Sequence, residues 1–81
     1  MATLKERLVS SLNSMYRGTI VSQKDTLVRM IHKNSLPFTD VISEHRGDET
    51  DLKVDFGDIK VIVKLIWAKA PNGLHKLYKV T

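Results

Sequence analysis

The residues best suited to contact chemistry stand near the end of the chain. Lys60, Lys64, Lys69, Lys76 and Lys79 follow one another with His75 among them, and no acid occurs after Asp58. Ammonium groups on a β-ribbon suit a phosphate backbone, because each neutralised phosphate releases a counterion and makes binding sensitive to salt. Lys69 and Lys76 flank the segment 70–75, A-P-N-G-L-H, which reads as the tip of a hairpin. Lys60 and Lys64 are expected to face Asp55 and Asp51 across a strand pair, so Lys69, Lys76 and Lys79 carry most of the expected contact.

Bond-breaking chemistry has less support. The histidines His32, His45 and His75 form no HxxxH or HExxH pair and fall on three separate elements, so neither a metal site nor a cofactor is expected. Asp51-Leu-Lys53 and Asp58-Ile-Lys60 each match the D-x-K fragment of the PD-(D/E)xK nucleases. That family's larger sheet-and-helix core does not fit this chain, and Asp58 has a simpler place in a turn. Ser10, Ser11, Ser14 and Ser43 lack a neighbouring base in any known pattern, and the four glycines stand singly rather than in a phosphate loop. A non-enzymatic protein is expected.

The elements that must position these residues begin with a helix. Thr3 and Glu6 form a capping box, Leu4, Leu8, Leu12, Met15 and Tyr16 share one stripe, and Gly18 suits the end. Thr19-Ile20-Val21 is long enough for a short edge strand. Ser22 opens a second helix that buries Leu27, Met30 and Ile31, with Arg29, His32 and Lys33 near its negative end. Pro37 blocks any continuation. Residues 38–47 carry both signals, and Val41-Ile42 leans towards a strand by propensity. A third short helix is nevertheless expected, because Thr39 suits its cap, Phe38, Val41, Ile42 and His45 follow helical spacing, and Gly47 suits its end.

The remainder is β. Leu52, Val54 and Phe56 alternate, Gly57-Asp58 fits a two-residue turn, and Ile59, Val61, Val63, Leu65 and Trp67 alternate after it. That turn pairs Val54 with Val61 and Leu52 with Val63. On the other face it pairs Asp55 with Lys60 and Asp51 with Lys64. Asn72-Gly73 closes a second hairpin whose tightest register sets Trp67 opposite Tyr78 and Leu65 opposite Val80. Trp67 and Tyr78 then belong to the core or its edge. The expected fold is α+β in a single domain, residues 1–81, with two or three N-terminal helices on one face of a three-stranded antiparallel meander. Over residues 3–68 this order resembles the winged-helix class, which implies a DNA-binding fold. In the recognition-helix position, however, Asp40, Glu44, Asp48 and Glu49 would repel phosphate.

The net charge of +4 conceals three blocks: +4 over residues 1–39, −5 over 40–58 and +5 over 59–81. So polarised a chain can offer one patch to a polyanion and another to something else. Without cysteine there is no disulfide or thiolate metal site. No apolar run reaches the roughly 20 residues that span a bilayer, and a soluble cytoplasmic protein is expected.

The leading functional expectation is a small regulatory protein that binds DNA or RNA phosphates through Lys60, Lys64, Lys69, His75, Lys76 and Lys79, with weak sequence preference. The alternative is a protein-interaction module, an inhibitor or adaptor of the sort compact viral and mobile-element genomes encode. Its contacts would be Asp40, Glu44, Asp48 and Glu49 with Ile62, Ile66 and Leu77. The outer sheet face, aliphatic and rimmed with charge, could also bury itself in a homodimer.

Overall fold

A computed structural model describes residues 2–34 and 40–81. The described elements are α1 (Leu4–Tyr16), β1 (Ile20–Val21), α2 (Lys24–Asn34), β2 (Asp40–Arg46), β3 (Glu49–Asp55), β4 (Lys60–Lys69), a 3-10 turn (Pro71–Gly73) and β5 (His75–Val80). The fold is α+β, and its five strands form one antiparallel sheet in the order β1-β5-β4-β3-β2. The expected three-stranded meander is therefore its centre, extended by one strand on each side.

Helix α1 starts where its cap dictates. The Glu6 N–H donates to Thr3 Oγ1 (3.1 Å), and the Thr3 N–H donates back to Glu6 Oε1 (3.3 Å). Both bonds satisfy donors that the first helical turn leaves without a partner. Its buried stripe is narrower than expected: Leu8, Leu12 and Tyr16 are covered, while Leu4 and Met15 stay exposed. Gly18 then takes a φ of +89° and donates its N–H to Leu77 O (2.8 Å), turning the chain out of α1 and onto the sheet. Helix α2 begins at Lys24 and buries Leu27, Val28 and Ile31.

Residues 40–46 are a strand, not the expected third helix, and the winged-helix order fails with it. The expected cap Thr39 and the stripe residue Phe38 lie outside the described residues. The cause is local. Arg46 pairs with Glu49 across Gly47-Asp48, and Gly47 has a φ of +56°. A glycine with positive φ serves a helix end and a tight turn equally well, so that signal does not discriminate. Val41 and Ile42 then point to opposite faces, with Val41 half-buried and Ile42 exposed.

The β3–β4 register is the expected one: Val54 faces Val61, Leu52 faces Val63, Asp55 faces Lys60 and Asp51 faces Lys64. The β4–β5 register is altered near the turn. Leu65 faces Val80 as expected, but Trp67 faces Leu77, and Tyr78 is the extra residue of a bulge. The connection is a longer loop, 70–74, in which Asn72 and Gly73 both adopt positive φ and the Ala70 N–H donates to Leu74 O (3.0 Å). The bulge lets Leu77 and Val80, three residues apart, both reach the core. Two expectations change together: Leu77 is fully buried, and Tyr78 is turned out to 53% exposure.

One core cluster joins Leu8, Leu12, Leu27 and Ile31 from the helices to Leu52, Val54, Val63, Leu65 and Leu77 from the sheet. Each such leucine or isoleucine contributes about 1.5–3 kcal/mol by leaving water. Helix α2 touches both β1 and β2, which are the two outer strands of the sheet. The sheet must therefore curl around α2, leaving its other face to solvent.

Candidate functional site

Strand alternation decides which of the candidate residues share a surface. The core parity of β4 runs through Val61, Val63, Leu65 and Trp67, so Lys60, Ile62, Lys64, Ile66 and Ala68 point away from the helices. On β5, Lys76 faces Ala68 and Lys79 faces Ile66, which adds both lysines to this outer face. Lys69 and His75 pair with each other on the parity of Trp67. The six candidate residues are therefore divided: Lys60, Lys64, Lys76 and Lys79 on the outer face, Lys69 and His75 on the other. His75 lies edge-on to Trp67, ring centroids 6.3 Å apart.

The outer-face lysines also differ in what they already hold. Lys64 Nζ lies 2.9 Å from Glu49 Oε1, and that hydrogen bond is the main reason its ammonium pKa is raised. Lys60 stands opposite Asp55. Among the described residues, Lys69, Lys76 and Lys79 make no ion pair. Lys79 Nζ instead lies 5.7 Å from the centroid of the neighbouring Tyr78 ring. Consecutive residues of a regular strand point to opposite faces; the bulge at Tyr78 sets this ring and ammonium side by side.

The residues of the protein-interaction alternative are likewise divided. Asp40, Glu44, Glu49, Ile62 and Ile66 share the outer face, across the rungs Glu44–Asp51–Lys64 and Ile42–Lys53–Ile62. Ile42 and Ile62 are 59% and 54% exposed. Arg46 bonds Glu44 (3.0 Å), which is the first cause of its raised pKa, and also reaches Asp51 at 3.7 Å. Asp48 sits in the β2–β3 turn, where its carbonyl accepts the Trp67 backbone N–H (2.7 Å). Leu77 leaves this set because the bulge buries it.

A second constellation lies at the inner end of the sheet. His45 Nε2 is 2.5 Å from Asp25 Oδ1, His45 Nδ1 is 2.8 Å from Thr50 Oγ1, and Trp67 Nε1 donates to the same oxygen at 2.8 Å. A proton on His45 Nε2 satisfies every group. Nε2–H donates to Asp25, Nδ1 accepts the Thr50 hydroxyl, and the Thr50 oxygen accepts the indole. The bond from His45 is the leading cause that holds the Asp25 carboxyl below its usual range. Beside it, Lys24 Nζ donates to Gly47 O (2.6 Å) and lies 5.9 Å from the Trp67 ring centroid.

The order acid, imidazole, hydroxyl is that of a nucleophilic relay. Thr50 is 0% exposed, however, so no substrate carbonyl or phosphoryl group can reach its oxygen. The chain acts instead as a tie, binding α2 to β2 and β3 and satisfying a buried hydroxyl and indole. Recognising Gly47-Asp48 as a turn would have set His45 opposite Thr50, one link of this tie. Compared with known proteins, the chain matches no family model, no curated protein and no solved structure. Among the described residues no helix is long and apolar enough to cross a membrane.

Proposed function

We propose that this protein is a non-enzymatic nucleic-acid-binding protein whose contact surface is the outer face of the C-terminal hairpin. The observation that supports the reading best is the bulge at Tyr78, which presents an exposed ring next to Lys79, with Lys76 on the same face. An aromatic ring between cations combines base stacking with phosphate attraction, the two contributions that hold single strands with little sequence preference. Lys76 and Lys79 are the primary phosphate contacts. Lys60 and Lys64 extend the strip, with Lys64 sharing its charge with Glu49 and Lys60 standing opposite Asp55. Lys69 and His75 meet a strand only where it passes around the hairpin tip.

Fluorescence anisotropy with labelled single-stranded DNA, RNA and duplex DNA, each at two salt concentrations, tests this. Binding should weaken as salt rises, and Lys76→Ala with Lys79→Ala should weaken it similarly for every sequence and flatten the salt dependence. Tyr78→Ala should remove about 1–3 kcal/mol, the contribution of one stacked base. Affinity unchanged in both variants contradicts the reading.

A protein-binding outer face is the second reading, favoured by the exposure of Ile42 and Ile62 on the acidic side of the same surface. Ile62→Lys would then abolish partner retention in a pull-down while leaving nucleic-acid affinity intact.

A further inference from the structure

The two margins of the sheet are finished differently, and the open one carries an inference independent of nucleic-acid binding. The Phe56 N–H donates to Ile59 O, so Phe56 and Ile59 form a hydrogen-bonded pair beside the turn. Counting by two along the ladder, Glu49, Asp51, Lys53 and Asp55 direct their backbone groups to β2. Their partners Arg46, Glu44, Ile42 and Asp40 direct theirs back. The N–H and C=O groups of Val41, Ser43 and His45 therefore point outward, and no strand pairs with them among the described residues. One side chain supports this orientation: the Val41 N–H donates to Asp40 Oδ1 (2.9 Å).

We propose that β2 pairs antiparallel with β2 of a second copy, about a twofold axis through Ser43, to make one continuous sheet across a homodimer. The charge pattern favours this register over its two immediate neighbours. Only outward-facing residues can exchange hydrogen bonds, so neighbouring registers differ by two residues in the pairing sum. Centring on Ser43 sets Asp40 opposite Arg46 twice and Val41 opposite His45. Centring on Ile42 sets Asp40 against Glu44, and centring on Glu44 sets two glutamates face to face. Like charges directly opposite are destabilising. In the Ser43 register the exposed Ile42 side chains become diagonal neighbours, close enough to cover one another. Asp40 exchanges its bond to Val41 for Arg46 of the partner strand. The contact uses the edge of the sheet, so it leaves the outer face free for a ligand.

Sedimentation equilibrium of the full chain over a wide concentration range, with amide hydrogen exchange at each end of that range, tests the pairing. The expected result is a monomer–dimer equilibrium in which the Ser43 and His45 amides gain protection with concentration. Ser43→Pro removes an outward N–H without touching the β3 ladder, and proline is tolerated on an edge. It should abolish the dimer while the circular dichroism spectrum stays native. Asp40→Arg and Arg46→Asp should each weaken the dimer at least tenfold, and the two together should restore it. A wild-type chain that stays monomeric at about 1 mM, which puts any dissociation constant above the millimolar range, overturns the proposal. So does a dimer that ignores Ser43→Pro, or one whose protection appears on residues of the outer face instead.

Discussion

The margin of the sheet at β5 is sealed, and among the described residues the margin at β2 is open. At β5 the two-residue strand β1 covers His75 and Lys76, and Gly18 and Thr19 bond Leu77 through its O (2.8 Å) and N–H (2.9 Å). Asn13 on α1 then takes the place of a strand residue. Its Oδ1 accepts the Val80 N–H (2.8 Å) and its Nδ2 donates to Val80 O (2.9 Å). At β2 the only such cover among the described residues is the Asp40 carboxylate over one N–H. Edge strands template pairing unless something blocks them. A helix, a turn and a short strand block one margin, and that difference is the basis for the proposed association through β2.

The largest expected effect comes from loosening the open edge at its anchor. Thr50→Val keeps the shape but leaves the Trp67 indole N–H buried without an acceptor, at a cost of about 1–3 kcal/mol. Thermal unfolding should show a melting temperature lower by roughly 4–8 °C per kcal/mol for a domain of this size. Next, Asn13→Ala strips both bonds from Val80 and should cost about 1–2 kcal/mol. It should also create concentration-dependent association through β5, read by light scattering. That result would make the two margins alike.

Ser43→Pro should change stability by less than about 1 kcal/mol in denaturant unfolding, because the lost N–H has no partner among the described residues. A much larger loss would mean that the β2 margin is sealed after all. The smallest effect concerns pH. The folded carboxyl of Asp25 titrates below its ordinary value, mainly because His45 bonds it. A depressed pKa adds stability above about pH 4, where the unfolded chain is already ionised, and that stability is lost as pH falls through the folded value. Asp25→Asn should flatten that acid limb in a Trp67 fluorescence titration.

Much of this arrangement was legible in the residues. The Thr3–Glu6 capping box, the Gly57-Asp58 turn and the charge-matched β3–β4 register rest on local chemistry with one structural solution. Residues 40–46 were not legible by the same means, because Gly47 satisfies a helix cap and a hairpin turn alike. Choosing between them depends on pairing with β3, which is an interaction between segments. The face of Tyr78 was hidden for a related reason. Alternation assumes an unbroken strand, and one bulge exchanged Tyr78 with Leu77. The lysines of the candidate site were visible by type, but their division between two faces and the Lys64–Glu49 bond depend on strand parity and register together. The tie from Asp25 through His45 and Thr50 to Trp67 joins residues far apart in sequence, and no motif marks it.

The most direct test of nucleic-acid binding at the sealed side is a backbone-amide NMR titration of the labelled protein with a short single-stranded oligonucleotide at low salt. Binding at this face predicts shifts concentrated at Lys76, Tyr78, Lys79 and the β4 residues Ile66 and Ala68, fading as salt is added, with the β2 amides unmoved. Shifts confined to Ile42, Glu44 and Ile62, or none at any residue, would contradict it.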